Sequence, residues 1–121
     1  MTYEVGASGD YRLRYGSTFL VVIPCQWGDR TLVKLIAPVA SNITKITPEL
    51  TRFLVEKNNE LLFGKFSLDT PNNTVWYEHA LLGDFLDEEE LFVAVAAVLK
   101  TADDHDEEVS RMAGGRWTVD T

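Results

Sequence analysis

LLFGKFSLDTPNNTVWYEHALL, Leu61 to Leu82, places two apolar-rich runs on either side of Thr70-Pro71-Asn72-Asn73. Proline presets the backbone of a turn and asparagine tolerates left-handed conformations, so the runs read as the arms of an antiparallel hairpin. On the first arm Leu62, Gly64, Phe66 and Leu68 share a face. On the second, Val75, Tyr77, His79 and Leu81 alternate with Trp76, Glu78, Ala80 and Leu82. Gly64 interrupts the first arm, and such a glycine marks a bulge or the close passage of a neighbouring element.

Working outward from the hairpin, a helix is predicted on each side. Upstream, Ile46 to Glu60 opens with Thr47 as cap, Pro48 at the first helical position and Glu49 beside the positive end of the helix dipole. Leu50, Phe53 and Leu54 form its apolar stripe, and Lys57, Asn58 and Asn59 end it. Downstream, Asp87 caps a second helix and Glu90 completes a capping box. Its apolar positions step by three and four through Leu91, Val95, Val98, Leu99, Ala102, Val109 and Met112, and it stops before Gly114-Gly115 and the tail RWTVDT.

Tyr11 to Val39 reads as strands. YRLRY alternates Tyr11, Leu13 and Tyr15 with Arg12 and Arg14. TFLVVIPCQW is almost wholly apolar, as expected of a strand covered on both sides, and Trp27-Gly28-Asp29-Arg30 turns the chain into TLVKLIAPV. Pro24 and Pro38 cannot donate to a ladder and belong at an edge, a bulge or a strand end. Strands, helix, hairpin and long helix fit one domain over residues 1–121.

The 121 residues, 45% hydrophobic and 25% charged, suffice for a core without disulfides or a structural metal. A formal net charge of -8 opposes nucleic acid and anionic membrane surfaces, and the basic residues look scattered along the chain. The lone Cys25 excludes an internal disulfide and a cysteine-rich zinc site, and its apolar run suggests a buried, inert thiol. MTYEVGASGDYRLRY lacks the apolar core of a signal peptide and no run has the length of a membrane span, so the expected location is the cytoplasm.

The chemical candidates are weak. TADDHDEEVSR, Thr101 to Arg111, crowds His105 among Asp103, Asp104, Asp106, Glu107 and Glu108. On a helix, however, His105 follows the stripe between Ala102 and Val109, while Asp104 stacks with Glu108 and Asp103 with Glu107 on other faces. This describes a seam histidine flanked by solvated acids. His79 sits beside Glu78, which points to the opposite side of its strand, and no serine lies in a glycine elbow. GASGD, Gly6 to Asp10, lacks the lysine and preceding buried strand of a phosphate loop and reads as a turn. No cofactor or metal is expected, although a small metal-dependent or acid/base enzyme using His79 or His105 is an alternative. Trp27, Trp76 and Trp117, with Phe19 and Tyr77, exceed what packing requires, so exposed members could form a docking surface.

From Leu50 onward, the ordered signals L-x-x-F-L-x-x-x-N-N-E-L-L-F-G-K-F-S-L-D, V-W-Y-E-H-A-L-L, L-D-E-E-E-L and A-D-D-H-D-E-E-V resemble the YbjN family, related in fold to class I type III secretion chaperones. The resemblance implies an α+β fold, with a bent antiparallel sheet, a helix between strands three and four and a long carboxy-terminal helix, and the order of elements read above agrees with it. It also implies a bacterial, non-enzymatic homodimer that binds a protein or peptide client, as a chaperone or regulatory adaptor. A structural subunit of a larger complex is a further alternative.

Family members usually begin with a helix, and MTYEVGASGDYRLRY offers no such amphipathic run. The expected reasons are a different amino terminus, a lost segment, or a sheet face covered by another molecule. The continuous apolar face of FLVVIPCQW favours the last. Phe19, Val21, Ile23, Trp27 and Trp76 are therefore the protein-binding candidates. The helix between strands three and four implies Leu50, Phe53 and Leu54 as dimer contacts.

Overall fold

A computed structural model describes the backbone of residues 2–5, and residues 10–15 and 18–115 in full. Trp117, the tail RWTVDT and most of the GASGD turn lie outside the described residues. The elements are strands β1 (Thr2–Val5), β2 (Tyr11–Tyr15), β3 (Thr18–Trp27) and β4 (Arg30–Ala40), helix α1 (Pro48–Glu60), strands β5 (Lys65–Asp69) and β6 (Thr74–Leu82), and helix α2 (Glu88–Ala113). The strands form one antiparallel sheet in the order β1-β2-β3-β4-β6-β5.

This is the α+β arrangement expected, with one strand more. Counting from Tyr11, α1 lies between the third and fourth strands as anticipated, but Thr2–Val5 pairs with β2 and raises the total to six. Four residues are too short for alternation to be counted, and only a partner strand makes them legible. No helix precedes β3 among the described residues.

Both helices start as their sequences dictate. The Thr47 side chain accepts from the Leu50 N–H at 3.2 Å, with Pro48 following, and the Asp87 carboxylate accepts from the Glu90 N–H at 2.7 Å. Gly114 ends α2, its N–H donating to the Ser110 carbonyl. Helix α2 lies across β3, β4 and β6, and α1 sits against β5 and α2. The core between helices and sheet includes Leu20, Leu35, Val39, Leu50, Tyr77, Val98 and Leu99.

Several local expectations change. TFLVVIPCQW is buried on both sides only in its first half, because β2 pairs no further than Val22. Beyond that point β3 has β4 alone for a neighbour, so Cys25 is half-buried and not sealed in the core. Pro24 falls where β2 has ended, and Pro38 falls at the register shift in β4. The first hairpin arm begins at Lys65, four residues later than Leu61, with Leu62 almost fully exposed.

The late start follows from Gly64, whose φ of +87° takes the chain out of the extended region. A side chain there would lie 2.6 Å from the Glu78 carbonyl oxygen and 2.8 Å from the Tyr77 ring, so this is the close passage that the sequence suggested. On α2 the buried stripe runs through Ala102, Asp106, Val109 and Ser110, so Asp106 turns inward while the other carboxylates of the cluster do not.

Asn58 has a role that its place at a helix end did not reveal. Its Oδ1 accepts from the Phe66 N–H at 2.7 Å, and its Nδ2 donates to the Phe66 carbonyl at 3.2 Å. The amide thus imitates one step of a β ladder and occupies the outer edge of β5 at Phe66. Asn58→Ala is expected to cost about 1–2 kcal/mol in urea unfolding and to speed hydrogen exchange at the Phe66 amide, since two hydrogen bonds are lost. Asn59→Ala is the matched control, and equal stability of the two variants would refute the bracing role.

Candidate functional site

Directly opposed residues in antiparallel strands share a face, so the registers assign every strand side chain to one side of the sheet. The face toward the helices carries Leu13, Leu20, Val22, Leu35, Ala37, Phe66, Tyr77 and Leu81. The opposite face carries a row from Arg12 through Val21, Ile36 and Glu78 to Lys65. Beside it run Ile23, Lys34 and Ala80, then Cys25, Leu32 and Leu82, and at the other end Pro38, Trp76 and Ser67. Neither helix packs on this face.

All five binding candidates, Phe19, Val21, Ile23, Trp27 and Trp76, fall on this helix-free face. Their exposure is graded. Val21 is buried among its cross-strand neighbours, whereas Phe19, Ile23 and Trp76 are half-buried and Trp27 is 63% exposed. The guanidinium of Arg12 stands 4.4 Å from the centre of the Phe19 ring, with Arg14 at 5.9 Å. Leu32 and Leu82 extend the apolar surface toward Trp27, and sequence reasoning passed over them because neither lies in the conspicuous run.

Around Trp76 the face becomes polar. The indole N–H donates to Asp69 at 3.2 Å, and Asn72 also donates to that carboxylate. The hydrogen bond from Asn72, then that from Trp76, hold the Asp69 carboxyl below the usual aspartate range. Ser67 donates to Glu78 at 3.0 Å, with the Lys65 ammonium 3.6 Å from the other carboxylate oxygen. Ser67, Asp69, Trp76 and Glu78, with Lys34 and Ile36, line a shallow depression of about 290 Å³.

The structure parts the dimer-contact candidates. Leu50 and Leu54 face the chain's own core, at 0% and 6% exposure. Phe53 is half-buried, 6.3 Å from the ring centres of both Phe66 and His105. The outward side of α1 instead presents Val55, 69% exposed.

The histidines occupy different surroundings. His105 Nδ1 lies 2.7 Å from the Thr101 carbonyl, and the ring stands edge-on to Phe66 at 5.5 Å. His79 packs on Phe63 at 5.4 Å, and burial pushes its pKa down. Among the described residues, no three histidine, cysteine or acidic side chains are placed to hold a metal ion. No helix is long and apolar enough to cross a membrane among them.

Comparison with known proteins adds family and fold. No curated protein matches the chain. A chain in the crystal structure of the ExsC–ExsE complex superposes with a TM-score of 0.66 at 17% identity, over 86% of this chain and 78% of that one. At such identity the likeness concerns the fold. The family model "T3SS (YopN, CesT) and YbjN peptide-binding chaperone 1", or TY-Chap1, matches residues 1–121. This is a family of non-enzymatic chaperones, which sets aside the enzyme reading of His79 and His105. With the match spanning every residue and the secretion-chaperone fold in place, the chain belongs to the TY-Chap1 family of peptide-binding chaperones.

Proposed function

We propose that the chain holds an extended segment of a client protein against the helix-free face of its sheet, without turning it over. The observation that carries this reading is the convergence of Phe19, Ile23, Trp27, Leu32, Trp76 and Leu82 on a surface that neither helix covers. Apolar surface of that kind marks an interface, and rigid aromatics supply much contact area at little entropic cost. Family membership as a peptide-binding chaperone supports the same reading. The ExsC–ExsE complex pairs a protein of this fold with a partner.

Trp27 gives the cleanest test, because its exposed side chain contributes little to the fold. In an array of synthetic peptides read by fluorescence anisotropy, Trp27→Ala is expected to weaken the peptides the parent binds by about 10- to 30-fold, as for an interface anchor. The unfolding midpoint is expected to stay within about 0.5 kcal/mol of the parent, as for a surface substitution. Unchanged affinity for every peptide would remove Trp27 and its end of the face from the site.

The proposal includes a homodimer working in the cytoplasm. Because Leu50 and Leu54 are spent on the core, α1 would contribute through Phe53 and Val55. A monomeric sedimentation profile across the working concentration range would overturn the dimer while leaving the peptide site in place.

A further inference from the structure

Arg12, Arg14, Arg30, Lys34 and Lys65 are far apart in sequence and read there as scattered. The registers place all five on the helix-free face: Arg12 opposite Val21, Arg14 opposite Phe19, Arg30 opposite Trp27, Lys34 opposite Ile23, and Lys65 opposite Glu78. Five of the eleven basic residues of a chain with net charge -8 thus share one surface. Among the acids of the sheet, Glu4 of β1, opposite Arg12 in the register, and Asp69 and Glu78 lie on that side with them. Nine of the nineteen acids instead lie between Asp87 and Glu108, on α2 and its cap, across the sheet.

Some of this positive charge is already engaged. Arg30 pairs with Asp84 at 3.2 Å and Lys65 with Glu78 at 3.6 Å. Arg12 and Arg14 stand 4.4 Å and 5.9 Å from the centre of the Phe19 ring, and Arg12 is opposite Glu4 of β1 in the register, so Arg14 is the arginine of the pair without an acid directly across from it. Lys34 is exposed on the central strand β4, between Ile23 and Ala80, and makes no ion pair among the described residues.

Resting on the peptide-binding reading of this face, we infer that its client segment is acidic: an extended stretch whose apolar anchors are accompanied by aspartate or glutamate. Apolar anchors satisfy Trp27, Ile23 and Trp76, while carboxylates reach Lys34 and the arginines beside Phe19. The net charge works against such a partner at long range. At physiological ionic strength, however, charges beyond about 8 Å are largely screened, so the cations on the face outweigh the acids on α2 for a bound segment. Like charges facing each other at a contact would penalise a basic segment in the same place.

Short synthetic peptides sharing the same leucine and phenylalanine anchors, with glutamate, lysine or serine at all other positions, test the inference by anisotropy with the full chain. The glutamate peptide is expected to bind about tenfold or more tighter than the lysine peptide near 0.15 M salt, with the gap closing toward 1 M. Lys34→Glu combined with Arg14→Glu, both exposed positions, is expected to reverse the order. A lysine peptide bound as tightly as the glutamate peptide, or an order unmoved by the two substitutions, would overturn the acidic-client inference and leave the face as a peptide site. Failure of all three peptides to bind, with Trp27→Ala also without effect in the array, would overturn both readings.

Discussion

Gly64→Ala is expected to lower the free energy of unfolding by about 2–5 kcal/mol, the sum of a left-handed backbone conformation and an overpacked contact. The methyl group would sit 2.6 Å from the Glu78 carbonyl oxygen and 2.8 Å from the Tyr77 ring. Neither neighbour can retreat freely. Glu78 is held by the ladder between β4 and β6, and Tyr77 is fully buried with its hydroxyl donating to the Phe63 carbonyl.

Gly28→Ala separates the two contributions, since Gly28 has a φ of +63° with nothing within 4 Å of the added atom. It should lose about 1 kcal/mol, from backbone conformation alone. Urea denaturation compares the two by their midpoints, provided the slope is unchanged. Equal losses would mean that the approach of β6 to Gly64 costs nothing, contrary to the geometry.

What could be read from sequence depended on how far apart the interacting residues lie. Helix starts were legible because Thr47 and Asp87 satisfy N–H groups only three residues on, and the end of α2 is marked by Gly114 in place. Alternation in β6 put Trp76 in a set, whereas β3 read as apolar throughout, and only the register showed that Phe19, Val21, Ile23 and Trp27 share one face with Trp76. The basic surface was invisible for the same reason. Arg12 and Lys65 stand at opposite ends of a row whose three intermediate members come from β3, β4 and β6.

Within α2 the helical period placed Ala102 and Val109 correctly and erred by one position between them. The stripe passes through Asp106, which the polarity of its neighbours disguised, while His105 lies on its flank against Phe66. Asn58 went unread because its partner, Phe66, lies beyond an irregular turn that the sequence assigned to a strand.

The second large effect is expected at Leu50. As a fully buried core residue it should cost about 2–5 kcal/mol on Leu50→Ala, from lost apolar transfer and the cavity left behind. Its identity as a core residue, and not a subunit contact, has a separate signature. Stability that depends on association varies with protein concentration, whereas a cavity inside one chain destabilises every copy equally. The loss relative to the parent chain is therefore expected to be the same over about a hundredfold range of concentration. Val55→Asp, on the exposed side of α1, should reduce the sedimentation mass if α1 forms the dimer contact, and should remove only the concentration-dependent part of the stability. A Leu50→Ala loss that grows or vanishes on dilution would return Leu50 to the subunit interface. A loss under about 1 kcal/mol would remove it from the core, because cavities of that size are not formed so cheaply.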